Sequence, residues 1–203
     1  MSAVIAAAFL YVPPAAGFAV PDAARIVIFH VPCAMISVLA YLVSTVYAIA
    51  YLKNGTIASD AKSAISAGLG FTFTALATVT GMIFAKVQWG AAWNWDPRET
   101  TILILMIVYA AYFALRGAIP GTIARARISA AYNILACVIM PYLVFVLPRM
   151  MGGLHPDRAS LSIEYRIVMG AAMIGFMWLY IWLFRIHVRI SEYEIAWRRA
   201  RNV

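Results

Sequence analysis

Six stretches of the chain are almost wholly apolar, at about 2–20, 28–52, 64–85, 100–119, 128–147 and 165–186, and the segments between them hold the charges, most of the Gly and Pro punctuation and the polar clusters. A helix of about 20 apolar residues crosses the hydrocarbon core of a bilayer, and a short connection returns the chain for the next crossing. The pattern predicts an all-α integral membrane protein with six transmembrane helices. The first stretch is the weakest, because Pro13 and Pro14 interrupt it and an interior proline removes a helix hydrogen bond and clashes with the preceding turn. No Lys or Arg precedes it, which counts against a cleaved signal peptide and favours a retained first helix.

Composition agrees with that pattern. The 203 residues are 65% hydrophobic and 12% charged with a mean hydropathy of +0.86, against about 45–50% apolar and about 25% charged in soluble domains. Six spans fill this length, so residues 1–203 are expected to form a single transmembrane domain in lipid, with no sizeable soluble part. The formal charge of +8 does not point to nucleic acid, because basic residues scattered between apolar runs record topology rather than a phosphate-binding face. Of the 16 basic residues, Arg25, Lys86, Arg98, Arg149, Arg158 and Arg166 fall in segments on one side of a six-span chain and the remaining ten on the other. The positive-inside rule then predicts that both termini are cytoplasmic and that segments 21–27, 86–99 and 148–164 lie outside. Cys33 and Cys137 sit inside apolar runs and no CxxC or CxxCH occurs, which excludes a thiol-redox pair, a zinc knuckle and covalent haem attachment. Packing is their expected role.

The segment that carries most chemistry runs Trp89-Gly90-Ala91-Ala92-Trp93-Asn94-Trp95-Asp96-Pro97-Arg98-Glu99-Thr100, with three of the six tryptophans in seven residues. An interfacial aromatic belt needs only rings at headgroup depth, and explains Trp without explaining Asp-Pro-Arg-Glu. Three indoles beside a carboxylate and a guanidinium also make a platform that stacks on a flat apolar ring while pairing with its charged edge. Spacing alone leaves belt and platform open.

This loop, WGxxWxWDPRET followed directly by an apolar span, resembles the tryptophan-rich signature of the haem-handling proteins of cytochrome c maturation, the superfamily of CcmC, CcmF and CcsA. Arg25 to Pro32, read Arg-Ile-Val-Ile-Phe-His-Val-Pro, is similar to the element that opens the second span of CcmC, and His155 stands where that family has a second external histidine. The resemblance covers about residues 23 to 190. It implies non-covalent haem b with His30 and His155 as axial ligands of the iron, and Trp89, Trp93, Trp95, Asp96 and Arg98 as further contacts. Imidazole suits haem iron, and two imidazoles complete its coordination while indoles shelter the macrocycle. Without the family, His30 reads as a helix-end hydrogen-bonder and His155 as an ordinary loop residue. His187, between Arg185 and Arg189, reads as a residue of the cytoplasmic side.

Arg98 is the first candidate for the haem propionates, with Arg25, Arg149 and Arg158 behind it. Asp96 is open to two roles, orienting Trp93 or Trp95 through an indole N–H or acting on the ligand itself. The resemblance also implies partners: the haem chaperone CcmE as acceptor, the small subunit CcmD, and the ABC transporter pair CcmA and CcmB, in a bacterial inner membrane with the haem site facing the periplasm. The chain has no Walker motif of its own, and no external nucleophile–base pair is evident, so a carrier or transfer subunit is expected rather than a classical enzyme. Asp96 to Thr100 also resembles the WDPKET form of CcsA-type proteins, which keeps a cytochrome c haem ligase component as an alternative. A membrane haem redox protein is the other, although it generally wants histidine pairs at two depths. Ala92 stands where relatives often carry an aromatic. The tail from Ser191 to Val203 reads as an amphipathic helix on the inner leaflet, with a partner contact as the alternative.

Overall fold

A computed structural model describes residues 1–155 and 161–201, and among these every regular element is helical. The helices are α1 (Ser2–Leu10), α2 (Val27–Asn54), α3 (Ile57–Trp89), α4 (Pro97–Ala118), α5 (Thr122–Pro141), α6 (Leu147–Met151) and α7 (Ile163–Arg201). A 3-10 turn over Asp22–Ile26 leads into α2, and a π turn over Tyr142–Val146 joins α5 to α6 between Pro141 and Pro148, where the missing N–H groups break the regular ladder. Five of the described stretches are long and apolar enough to cross a membrane: Asp22–Asn54, Ile57–Trp89, Pro97–Ala118, Thr122–Met151 and Ile163–Trp197.

The expected span over 2–20 is the one that differs. Its helix stops at Leu10, and nine residues at 1.5 Å each rise only about 14 Å, under half of the hydrocarbon core. The chain then turns at Pro13 and Pro14, and α1 lies against the first turns of α7, with Ala8, Val12, Ala24, Ile28, Tyr165, Val168 and Ala172 sharing one core cluster. Met1 reaches Gly175, which has no side chain to keep it away. Five full spans, not six, are therefore present in the described residues, and with an odd number of crossings the first and last full spans run in the same direction across the bundle.

The other ends also differ, in the direction of longer helices. α3 begins at Ile57 rather than 64, and α7 runs on to Arg201 as one helix instead of turning onto the leaflet. Hydropathy reports where a helix is greasy, whereas helix ends are set by caps and breakers. After Gly175 the chain has neither Gly nor Pro to stop α7.

α2 is the central helix, packed by α3, α5 and α7, while α4 closes against α3 and α5. Close approach relies on small residues, as expected where lipid supplies no hydrophobic drive between helices. A Cβ at Gly70 would lie 2.7 Å from the Tyr41 ring, which stacks on Tyr109 at 3.5 Å. Polar links add specificity. Asn133 Nδ2 donates to Ser44 and Ser63 at 2.7 and 3.1 Å, and Arg116 grips Asp60 through two bonds of 2.7 and 2.6 Å. These links sit toward one end of the bundle. The tryptophan loop, residues 152–155 after α6 and the 11–26 segment share the other.

Candidate functional site

The tryptophan loop is built by how α3 ends and α4 begins. Gly90 takes a left-handed conformation (φ 85°) that ends α3, and Asp96 starts α4 as its N-cap with Pro97 in the first turn. Asp96 Oδ1 accepts the Arg98 N–H at 2.9 Å, and Glu99 Oε2 reaches back to the N–H groups of Asp96 (3.3 Å) and Asn94 (2.7 Å). That is a capping box, and it satisfies N–H groups that a helix start would leave open. Asp-Pro-Arg-Glu therefore folds as a helix start, a signal readable in the sequence that the platform reading passed over. Trp95, at φ 55° and 71% exposed, points away from the bundle, and Trp93 meets it edge-on at 5.9 Å.

The same carboxylate holds the second histidine. Asp96 Oδ1 accepts from His155 Nδ1 at 2.9 Å, and Oδ2 accepts the Leu154 N–H at 2.6 Å. Trp89 lies edge-on to the His155 ring at 4.9 Å. Gly153 passes so close that a Cβ there would overlap the carboxylate. Burial raises the Asp96 pKa, but the N–H groups of Arg98 and Leu154 and the His155 ring outweigh it and hold the carboxyl below its usual range. Burial lowers the His155 pKa more than Asp96 restores it. At neutral pH the contact joins a carboxylate to a neutral imidazole.

His30 sits in the first turn of α2, half-buried against α3. Its Nδ1 lies 2.9 Å from the Ala77 carbonyl and 3.1 Å from Thr80 Oγ1, whose own hydroxyl donates to Leu76 at 2.8 Å. A carbonyl and a carboxylate only accept, so both histidines carry their proton on Nδ1 and keep the lone pair on Nε2. Gly81 leaves the His30 ring its room, since a Cβ there would lie 3.0 Å from Cε1. Along α3, the His30 contact at Thr80 and the His155 contact at Trp89 are nine residues apart, about 14 Å of helix.

The structure thus gathers Trp89 and Asp96 around the His155 ring, pairs Trp93 with Trp95 beside them, and seats His30, on α2, against α3 further from that end. Asp96, 4% exposed, is engaged by His155 and backbone N–H groups rather than by an indole. The Arg98 side chain is exposed and makes no ion pair among the described residues. Arg25, expected near the ligand, instead pairs with Asp22 at 2.5 Å and donates to the Val12 carbonyl at 3.1 Å, bracing the turn after α1. Arg149 donates to the Phe145 carbonyl at 2.6 Å, four residues back in the π turn. Arg158 lies outside the described residues. His187 bonds Leu183 on α7, near the opposite end. Sequence reasoning missed Thr80, Glu99, Gly153 and Gln88. Gln88 clamps Val20 in both directions at 3.0 and 2.8 Å, and nothing in a lone Gln at the end of an apolar run announces that.

The fold and rim define a multi-pass helical membrane protein that gathers two imidazoles and three indoles at one end. The chain matches the family model described as Heme exporter protein C over residues 1–202. It is 27% identical over 185 residues to the Heme exporter protein C of Bradyrhizobium diazoefficiens, covering 88% of this chain and 69% of that protein. Against the Heme exporter protein C of Paracoccus denitrificans it is 30% identical over 183 residues, covering 86% and 74%. A shorter similarity, 47% over 49 residues, joins 24% of the chain to 15% of the cytochrome c biogenesis protein CcsA of Thermosynechococcus vestitus. The chain belongs to the CcmC family of cytochrome c biogenesis.

Proposed function

We propose that the chain binds haem b without covalent attachment between His30 and His155, on the periplasmic face of a bacterial inner membrane, and hands it to the chaperone CcmE. The observation that carries this reading is the shared tautomer: each histidine spends Nδ1 on a protein acceptor, so Nε2 is the nitrogen that can take iron. Haem is the cargo, and two imidazoles would hold its iron closed to other ligands. Trp93 and Trp95 offer faces for the macrocycle, Trp89 steadies His155, and the exposed Arg98 guanidinium is placed for a propionate. Residues 1–203 act as one transmembrane unit, with the tryptophan loop outside and the C-terminus in the cytoplasm. CcmD, CcmA and CcmB complete the assembly and supply any ATP-driven step. The similarity to CcsA is confined to a quarter of the chain, which favours a carrier over a ligase component.

The test is an optical spectrum of the protein purified in detergent. Six-coordinate low-spin bands are expected, and His30→Ala and His155→Ala should each alter them, with exogenous imidazole restoring part of the signal. Wild-type absorbance and haem content in both variants would remove the axial assignment.

A further inference from the structure

We propose that Asp96 is the positioning residue of His155, and that its place at the start of α4 is what aims the second imidazole of the site; the proposal rests on the haem reading above. A histidine in a loop has no helix or strand to fix its ring. Here three donors converge on one buried carboxylate: the Arg98 N–H and His155 Nδ1–H on Oδ1, and the Leu154 N–H on Oδ2. A carboxylate has about four lone-pair sites, so all three are accommodated together. The bond to Nδ1 fixes the tautomer and the ring plane, and the bond to Leu154 fixes the backbone one residue earlier. Gly153 permits this approach because it lacks a Cβ.

Asp96 is itself anchored, since Pro97 and the Glu99 bonds hold the first turn of α4. Trp89 bounds the ring edge-on, at 4.9 Å. The second imidazole is thereby referred to the ends of two long helices, α3 and α4, rather than to its own connection. A carboxylate on the remote nitrogen also makes an imidazole a stronger donor to iron, and losing such a partner typically weakens metal binding about 10–100-fold.

Serine separates this role from plain capping, because it is among the best N-cap residues but is too short to meet His155 and Leu154. In Asp96→Ser, haem retained by the purified protein should fall at least tenfold. The haem that remains should have a higher reduction potential, and in haem-free protein the Leu154 amide should exchange with solvent at least tenfold faster than wild type. Asp96→Asn keeps one acceptor oxygen for His155 while removing the charge, so it should retain more haem than the serine variant and still show the raised potential. Wild-type haem retention and potential in Asp96→Ser would overturn the proposal. So would loss of haem with the potential and Leu154 exchange unmoved, which would place Asp96 elsewhere in the fold. His155→Ala, run alongside, separates the two readings. An unaffected spectrum in that variant defeats the ligand assignment itself, while Leu154 exchange in Asp96→Ser still reports on the anchor.

Discussion

Exposure does not separate the tryptophans. Trp95 is 71% exposed in the loop and Trp178 69% exposed on α7, so a belt residue and a platform residue look alike by that measure. Geometry does separate them: Trp93 and Trp95 form an edge-to-face pair next to the residue that holds His155, whereas Trp178 and Trp182 line an open apolar groove of about 360 Å³ with Met1, Gly175 and Arg185. Stacking on a bound aromatic contributes about 0.5–1.5 kcal/mol beyond area burial, which corresponds to roughly two- to tenfold in affinity. Trp93→Ala and Trp95→Ala should each lower haem per mole of purified protein within that range, and Trp178→Ala and Trp182→Ala should leave it unchanged. Equal haem content in all four variants would reduce the loop to an interfacial belt. Transfer to the proposed acceptor, CcmE, needs separate scoring, because a loop that touches an acceptor can lose transfer while keeping haem.

At the scale of elements, five of six expected spans were legible because apolar runs of 20 or more residues have few alternatives in lipid. The sixth was not, and Pro13-Pro14 had already marked the place where it breaks. The site was legible unevenly. Motif likeness singles out its histidines and indoles as candidates, but the contacts of Asp96 with Leu154 and His155 join residues 58 and 59 positions apart, and no local pattern encodes that. Gln88 is the same kind of case. Its two bonds to Val20 tie the 11–21 segment to the last turn of α3, and Phe18 packs edge-on against Phe84 at 5.9 Å nearby. Each bond contributes about 1 kcal/mol net, so Gln88→Ala should loosen this segment without unfolding the bundle. Limited proteolysis in detergent checks this: cleavage within residues 11–21 should become faster while α2 to α5 stay protected. Unchanged cleavage would show that the Phe18–Phe84 packing and the Arg25 bond to Val12 hold the segment without Gln88.

For the whole molecule, the two ends of the bundle are built differently, and that difference carries the topology. At one end lie the Asp60–Arg116 pair and the Ser44–Ser63–Asn133 cluster, with the long charged extension of α7 beyond. The other end holds the indoles and both histidines. Basic residues are concentrated at the first end, and membrane proteins keep such loops in the cytoplasm. Five full spans put the start of α2 and the end of α7 on opposite sides, so this assignment needs no sixth crossing, and α1 packs beside α7. A cysteine introduced at Asn94, in a background lacking Cys33 and Cys137, should react with an impermeant maleimide in whole cells whose outer membrane admits the reagent. A second cysteine at Ser191, on the extension of α7, should react only after the inner membrane is opened. The two positions check each other, since a leaky membrane labels both and a misfolded protein labels neither in a membrane-dependent way. The reverse pattern, Ser191 labelled in intact cells and Asn94 protected, would turn the tryptophan loop toward the cytoplasm and overturn the proposed delivery of haem to a periplasmic acceptor.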